Sequence, residues 1–296
     1  MKPISFLLLF FVALGCSPAQ DGADAPFGMP AALVTEQGEA WYSRSNGENI
    51  IVWGRHAAGW TGHVLWGMEQ TEEGWSEPAV LPFSGTYNDR AARFYPGLDA
   101  LIFSSDRPIP GDSLAGDFNL WIGMHDGVSW TEPEPLASLN SNGNDFHGSV
   151  AGDASVFFAS DRDGGMGRSD LYRAELGIDG YDVTHLSASV NSEYSESDVF
   201  VDPAMRYLIF SRTDDPAGFG GDDLWISFKD GEDWGEPVNL GAEVNSAEYE
   251  YGAWVSRDGL TLYFTSHRDG NADIRAVQLA DLGIDGPEGW LETGMQ

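Results

Sequence analysis

Short apolar runs separated by turn residues recur along the chain from about residue 38 onward, and no stretch sustains the 3.6-residue period of an amphipathic helix. Five anchors, Leu65-Trp66, Leu120-Trp121, Leu171-Tyr172, Leu224-Trp225 and Ile274-Arg275, fall 55, 51, 53 and 50 residues apart. Upstream of each, a second apolar run ends at Val52, Phe103, Phe158, Phe210 or Phe264. Another run precedes that one, and a last run carries Trp75, Trp130 or Trp234 with Pro78, Pro133 or Pro237 three residues on; Tyr181 takes the tryptophan's place in the third copy. Each copy therefore predicts four strands, a to d. Asn46-Gly47 and Asp258-Gly259 suit the positive φ angles of tight a–b hairpins, and the proline puts strand d at a sheet edge. The fold expected is all-β. A four-stranded unit repeated about every 50 residues describes a β-propeller, with five blades, or six if residues 32–34 and the C-terminus add a partial one.

Three copies of strand b run into closely similar polar ends: Ser104-Ser105-Asp106-Arg107, Ala159-Ser160-Asp161-Arg162 and Thr265-Ser266-His267-Arg268. The fourth departs, with Arg212 two residues after Phe210 and Asp214 at the aligned position. Residues 234–273, WGEPVNLGAEVNSAEYEYGAWVSRDGLTLYFTSHRDGNAD, resemble the WD-like, Pro-Asp-type propeller repeat of TolB and related envelope proteins. That resemblance covers about residues 38–290 and implies the propeller fold. For function it implies a binding role at the cell envelope, and it says much less there because one fold hosts many activities. The α/β segment of TolB, the OmpA-like domain that often follows such repeats and the Gly-x-Ser-x-Gly elbow of propeller peptidases have no counterpart in the sequence.

Charge narrows the partners. With 47 acidic against 15 basic side chains the formal net charge is −32, which opposes counterion release from nucleic acid and approach to anionic lipid. Lys2 and the apolar run over residues 4–14 read as a signal peptide, too short for a span of about 20 helical residues. The run ends in Ala13-Leu14-Gly15-Cys16, which resembles the lipobox of bacterial lipoproteins. Cys16 is the single cysteine, and a lone thiol in an exported chain is accounted for by lipidation. Residues 1–15 are thus expected to be a signal peptide, 16–36 a lipidated tether and 37–296 one propeller. Ser17 after Cys16 resembles lipoproteins sent to the outer membrane, here on its periplasmic face.

Candidate chemistry follows from phase. Fourteen residues before the strand-b phenylalanines stand Asp89, Asn144, Glu196 and Glu250, expected as a carboxylate-rich ring at the channel mouth on the face of the b–c and d–a loops. Three readings stay open: loop support within each blade, a ligand or cation site suited to Ca²⁺, or an acid and base pair of a glycosidase. The six histidines lack zinc-site spacing and read as surface or loop residues. The function expected is non-catalytic binding of an envelope protein by a monomeric lipoprotein without an obligatory cofactor; the alternative is a glycan-binding or glycoside-hydrolase-like propeller using the pore carboxylates.

Overall fold

The computed structural model describes residues 39–45, 47, 49–56, 62–109 and 116–284. Each copy of the repeat forms its own antiparallel sheet with strands in the order a-b-c-d. The innermost strands are Glu39–Arg44, Asp89–Phe94, Asp145–Val150, Ser195–Val201 and Glu250–Val255. Each packs on the next, and the fifth packs back on the first. The ring closes with five blades, which settles the choice between five and six. The fifth blade has three described strands and ends in a 3₁₀ turn, Leu279–Leu282.

Burial explains why the repeat needs a ring. Strand b is buried at every position in Ala100–Ser105, Val156–Ser160 and Thr261–Ser266, because both faces of a blade are covered by neighbours. Successive side chains point to opposite faces. Phe157 and Ala159 thus enter the core shared with blade four, while Val156 and Phe158 enter the one shared with blade two. Five such inter-blade cores alternate with the five sheets.

Strand d departs from the simple expectation of one edge strand. In blades one and four it is broken into pairs of two-residue pieces, Gly74–Trp75 with Ala79–Val80 and Asp233–Trp234 with Val238–Asn239. The break falls at Pro78 and Pro237, which lack the N–H a ladder needs. Blade three has no proline there, and its outer strand runs unbroken over Tyr181–His185. Among the described residues no helix is long and apolar enough to cross a membrane. Cys16, the apolar run and the tether lie outside the described residues.

Candidate functional site: the propeller axis

The phased carboxylates are fully buried, and each is held inside its own blade. Asp89 accepts from Arg107 at 2.7 Å and from Ser84 at 2.7 Å. Glu196 accepts from Arg212 at 2.8 Å and from Ser192, and Glu250 from Ser246 and Ser266 at 2.7 and 2.6 Å. Burial raises the Asp89 and Glu196 carboxyls above their ordinary values, opposed by these bonds. In blade three the equivalent residue is Asp145, not Asn144. Asp145 pairs with Ser160 as Asp89 does with Ser105, one residue sooner because the third a–b hairpin is shorter. Asn144 instead accepts from the Phe118 N–H at 2.9 Å and donates to Asp161 at 2.8 Å.

These contacts account for the repeated motifs. The arginine closing strand b binds the carboxylate and also a carbonyl of the d–a loop: Arg107 to Phe83, Arg162 to Leu139 and Arg212 to Val190. Arg212 stands where the other copies have serine, paired across the hairpin with Glu196, and so supplies the same clamp from a different position. Asn140, Asn191 and Asn245 each bond both the N–H and the C=O of the strand-c leucine. They continue the ladder where strand d has left it.

The residues that meet on the axis lie two positions after those carboxylates. Every inner strand carries a β-bulge there, two residues facing one. The first bulge residue is left-handed in all five: Trp41, Ala91, His147, Asp198 and Gly252 have φ of 55°, 53°, 56°, 48° and 66°. Glycine is the unstrained choice at such a position. Four other side chains held there mark the axis as a place where strain of about 1–3 kcal/mol each is tolerated. The extra residue also breaks the period of two. His147 is therefore buried on the axis rather than in a loop, correcting the surface reading of that histidine.

The bulge residues cross the channel. Trp41 Nε1 donates to Asp198 Oδ1 at 2.5 Å, although blades one and four are not neighbours in the ring. The Asp198 N–H donates to His147 Nδ1 at 3.2 Å, and the Asp198 carboxyl lies 3.3 Å from the same nitrogen. The Trp41 ring lies 4.8 Å from His63, 5.9 Å from His147 and 5.3 Å from Tyr251. A Cβ on residue 252 would come within 2.8 Å of Trp41 Cδ1, so Gly252 leaves the space this indole fills. Together these side chains stopper the channel.

Burial dominates the electrostatics of the stopper. It pushes the Asp198 carboxyl up to about 6, against the Trp41 hydrogen bond and the Arg93 and Arg90 charges. It holds His63 down at about 3, aided by His56 and Arg90, and His147 well below 6.5, aided by Arg90, Arg93 and His63. A histidine kept neutral contributes stability above about 6.5 that is lost as pH falls; Asp198, with its raised value, contributes below 3.8 and loses that contribution as pH rises through about 6. The histidines and the carboxyl thus work in opposite directions below pH 6.5. For His63, held near 3, acidification from pH 6.5 to pH 5 is expected to remove about 1.4 kcal/mol of stability per unit of pH. Urea titrations across that range check this, and His63→Asn should flatten the dependence.

The two ends of the axis differ. Toward the b–c loops stand His56 and His63, 4.1 Å apart between ring centres, and Tyr251, whose hydroxyl is 3.1 Å from His267. Among the described residues no three His, Cys, Asp or Glu side chains are grouped as metal ligands. Toward the a–b turns lies a cavity of about 260 Å³, lined by the far ends of all five inner strands. This cavity is on the face opposite the glycine-rich loops.

No family model and no curated protein matches the sequence. Solved structures do match the fold. TolB from Acinetobacter baumannii aligns at a TM-score of 0.57 and 11% identity, over 85% of this chain and 54% of that one. That likeness is one of fold, a five-bladed β-propeller. The chain spans about half the length of that TolB, and a putative TolB from Agrobacterium tumefaciens aligns at 0.54 and 14% identity, over 82% of this chain and 76% of that one. A thermostable family-43 glycoside hydrolase aligns as well, at 0.56 and 12% identity over 82% and 89%. At these identities the likeness of this propeller to each is one of fold.

Proposed function

We propose that this TolB-like propeller is a non-catalytic binding module, a scaffold that receives an envelope protein at the a–b end of its axis. The stopper carries this reading. Asp198 is the one bulge residue with a carboxyl, it is buried, and it is engaged by Trp41 and His147, whereas hydrolysis of a glycoside uses two carboxyl groups about 5–9.5 Å apart around a substrate. The apolar run before Cys16 supports export and a lipid anchor at that residue, which would hold the propeller at the periplasmic face of the outer membrane.

A glycoside-hydrolase reading has two observations in its favour, and the first is a second carboxyl, Asp222, whose charge helps to raise Asp198. The second is that a carboxyl held near 6 is the kind of perturbed group that active sites use. The test compares wild type with Asp198→Asn on a panel of aryl glycosides, and with Arg257→Glu in partner capture by crosslinking. A scaffold shows no turnover with either protein, and its crosslinked partner is lost when the a–b rim is reversed in charge. Turnover by wild type that disappears in Asp198→Asn would replace the scaffold reading with the enzymatic one.

A further inference from the structure

The cavity at the a–b end has a charge opposite to that of the protein. In a chain with 15 lysines and arginines and a net charge of −32, four arginines line it: Arg44, Arg93, Arg206 and Arg257. Two aspartates share the lining. Asp202 is engaged by Arg206 through two bonds of 2.8 and 2.6 Å, and Asp258 accepts from Ser256 and from the Leu260 N–H within its own turn. The lining therefore carries an excess of two positive charges.

Arg93 is the residue that gives this excess a direction. Its guanidinium is buried where the inner strands converge, and it donates to the carbonyl oxygens of Tyr42 and Ala253 at 3.2 and 2.9 Å. These acceptors are neutral, and no carboxylate among the described residues lies within ion-pair distance of it. Burying a cation against neutral hydrogen-bond partners is costly, and burial draws Arg93 down to about 10, opposed by the charge of Asp198 beyond ion-pair distance. An anion entering the cavity would relieve that cost, and a carboxylate matches the planar fork of an arginine. The rest of the wall is apolar, with Phe200, Tyr207 and Trp254 among the lining residues.

We infer that the a–b cup is an anion pocket that takes a carboxylate carried on an apolar body, with Arg93 as its buried anchor and Arg257 at its rim. A cavity of about 260 Å³ is at the small end for ligand pockets. It suits a small organic acid or one terminal residue of a chain. This rests on the binding-module reading and names the chemistry of its site.

Calorimetric titration of the full-length protein tests it, with benzoate, benzyl alcohol, inorganic sulfate, and a peptide ending in phenylalanine as free acid or amide. Benzoate is expected to bind at least tenfold more tightly than benzyl alcohol and than sulfate. Arg257→Gln should weaken benzoate roughly tenfold, the scale of one charge-assisted hydrogen bond, while Arg168→Gln on a b–c loop changes nothing. Arg93→Met should weaken it most, and the rim variant Arg257→Gln decides the matter should that variant not fold. Preference for the acid peptide over its amide, beyond benzoate, identifies a chain terminus as the source of the carboxylate; equal peptides with tight benzoate identify a free acid. Binding that ignores the ligand's charge, or that Arg168→Gln weakens as much as Arg257→Gln does, overturns the pocket. Absent anion binding with partner capture intact overturns the pocket alone, whereas chemical conversion of a bound acid overturns the non-catalytic reading and leaves the pocket standing.

Discussion

Replacing Arg212 by methionine should destabilise the propeller by about 3–5 kcal/mol, the cost of removing one partner from a buried ion pair. Glu196 is fully buried and Arg212 nearly so. The arginine also reaches Asp215 at 3.1 Å and the Val190 carbonyl at 2.8 Å. Its loss therefore leaves the buried Glu196 carboxylate without its cation and the Val190 carbonyl without its side-chain donor. The double variant Arg212→Met/Glu196→Leu should regain much of the loss, since replacing a whole buried pair by apolar groups is far milder than halving it. Urea unfolding of both variants checks this. A single variant within 1 kcal/mol of wild type would show that the clamp is not what fixes the d–a loop to strand b.

Truncation of Trp41 is the second large effect. Trp41→Ala should cost about 3–5 kcal/mol, as for large buried aromatics whose removal leaves a cavity. The indole touches His63, His147 and Tyr251 and donates to Asp198, so no single blade can close the gap. Trp41→Phe separates the two contributions. It retains most of the ring and deletes the donor, and the expected loss is about 1–3 kcal/mol, that of an unmet buried acceptor. Thermal unfolding of the pair measures both. Equal melting of Trp41→Ala and wild type would mean that the blades close the axis without the stopper.

The repeat made the fold legible, and it also hid the site. Phe103, Phe158, Phe210 and Phe264 recur because every blade needs the same inner contact, so their spacing predicts the sheets and the closed ring. The Ser-Asp-Arg ends are equally visible, yet their carboxylate partners stand on a different strand. Counting back from phenylalanine found Asp89, Glu196 and Glu250 and missed Asp145, because one hairpin is a residue shorter. The axial residues gave no periodic signal. Trp41, Ala91, His147, Asp198 and Gly252 occupy one phase with five different side chains. In a repeat, what recurs serves each blade, and what varies at a fixed phase faces the centre. Aligning the copies on their carboxylates, rather than on phenylalanine, would have exposed that position. The bulge that inverts its direction has no signature when four of its five residues are not glycine.

The stopper also restricts the shape of whatever the propeller receives. An open ring can be threaded, so a polymer may pass through it and be held anywhere along its length. With Trp41 bonded across to Asp198, the axis is a blind hole from either side. Such a hole can admit an end or a protruding side chain and can never encircle a strand. A partner must therefore present a tip, and recognition becomes a matter of how that tip finishes rather than of the sequence running through its middle.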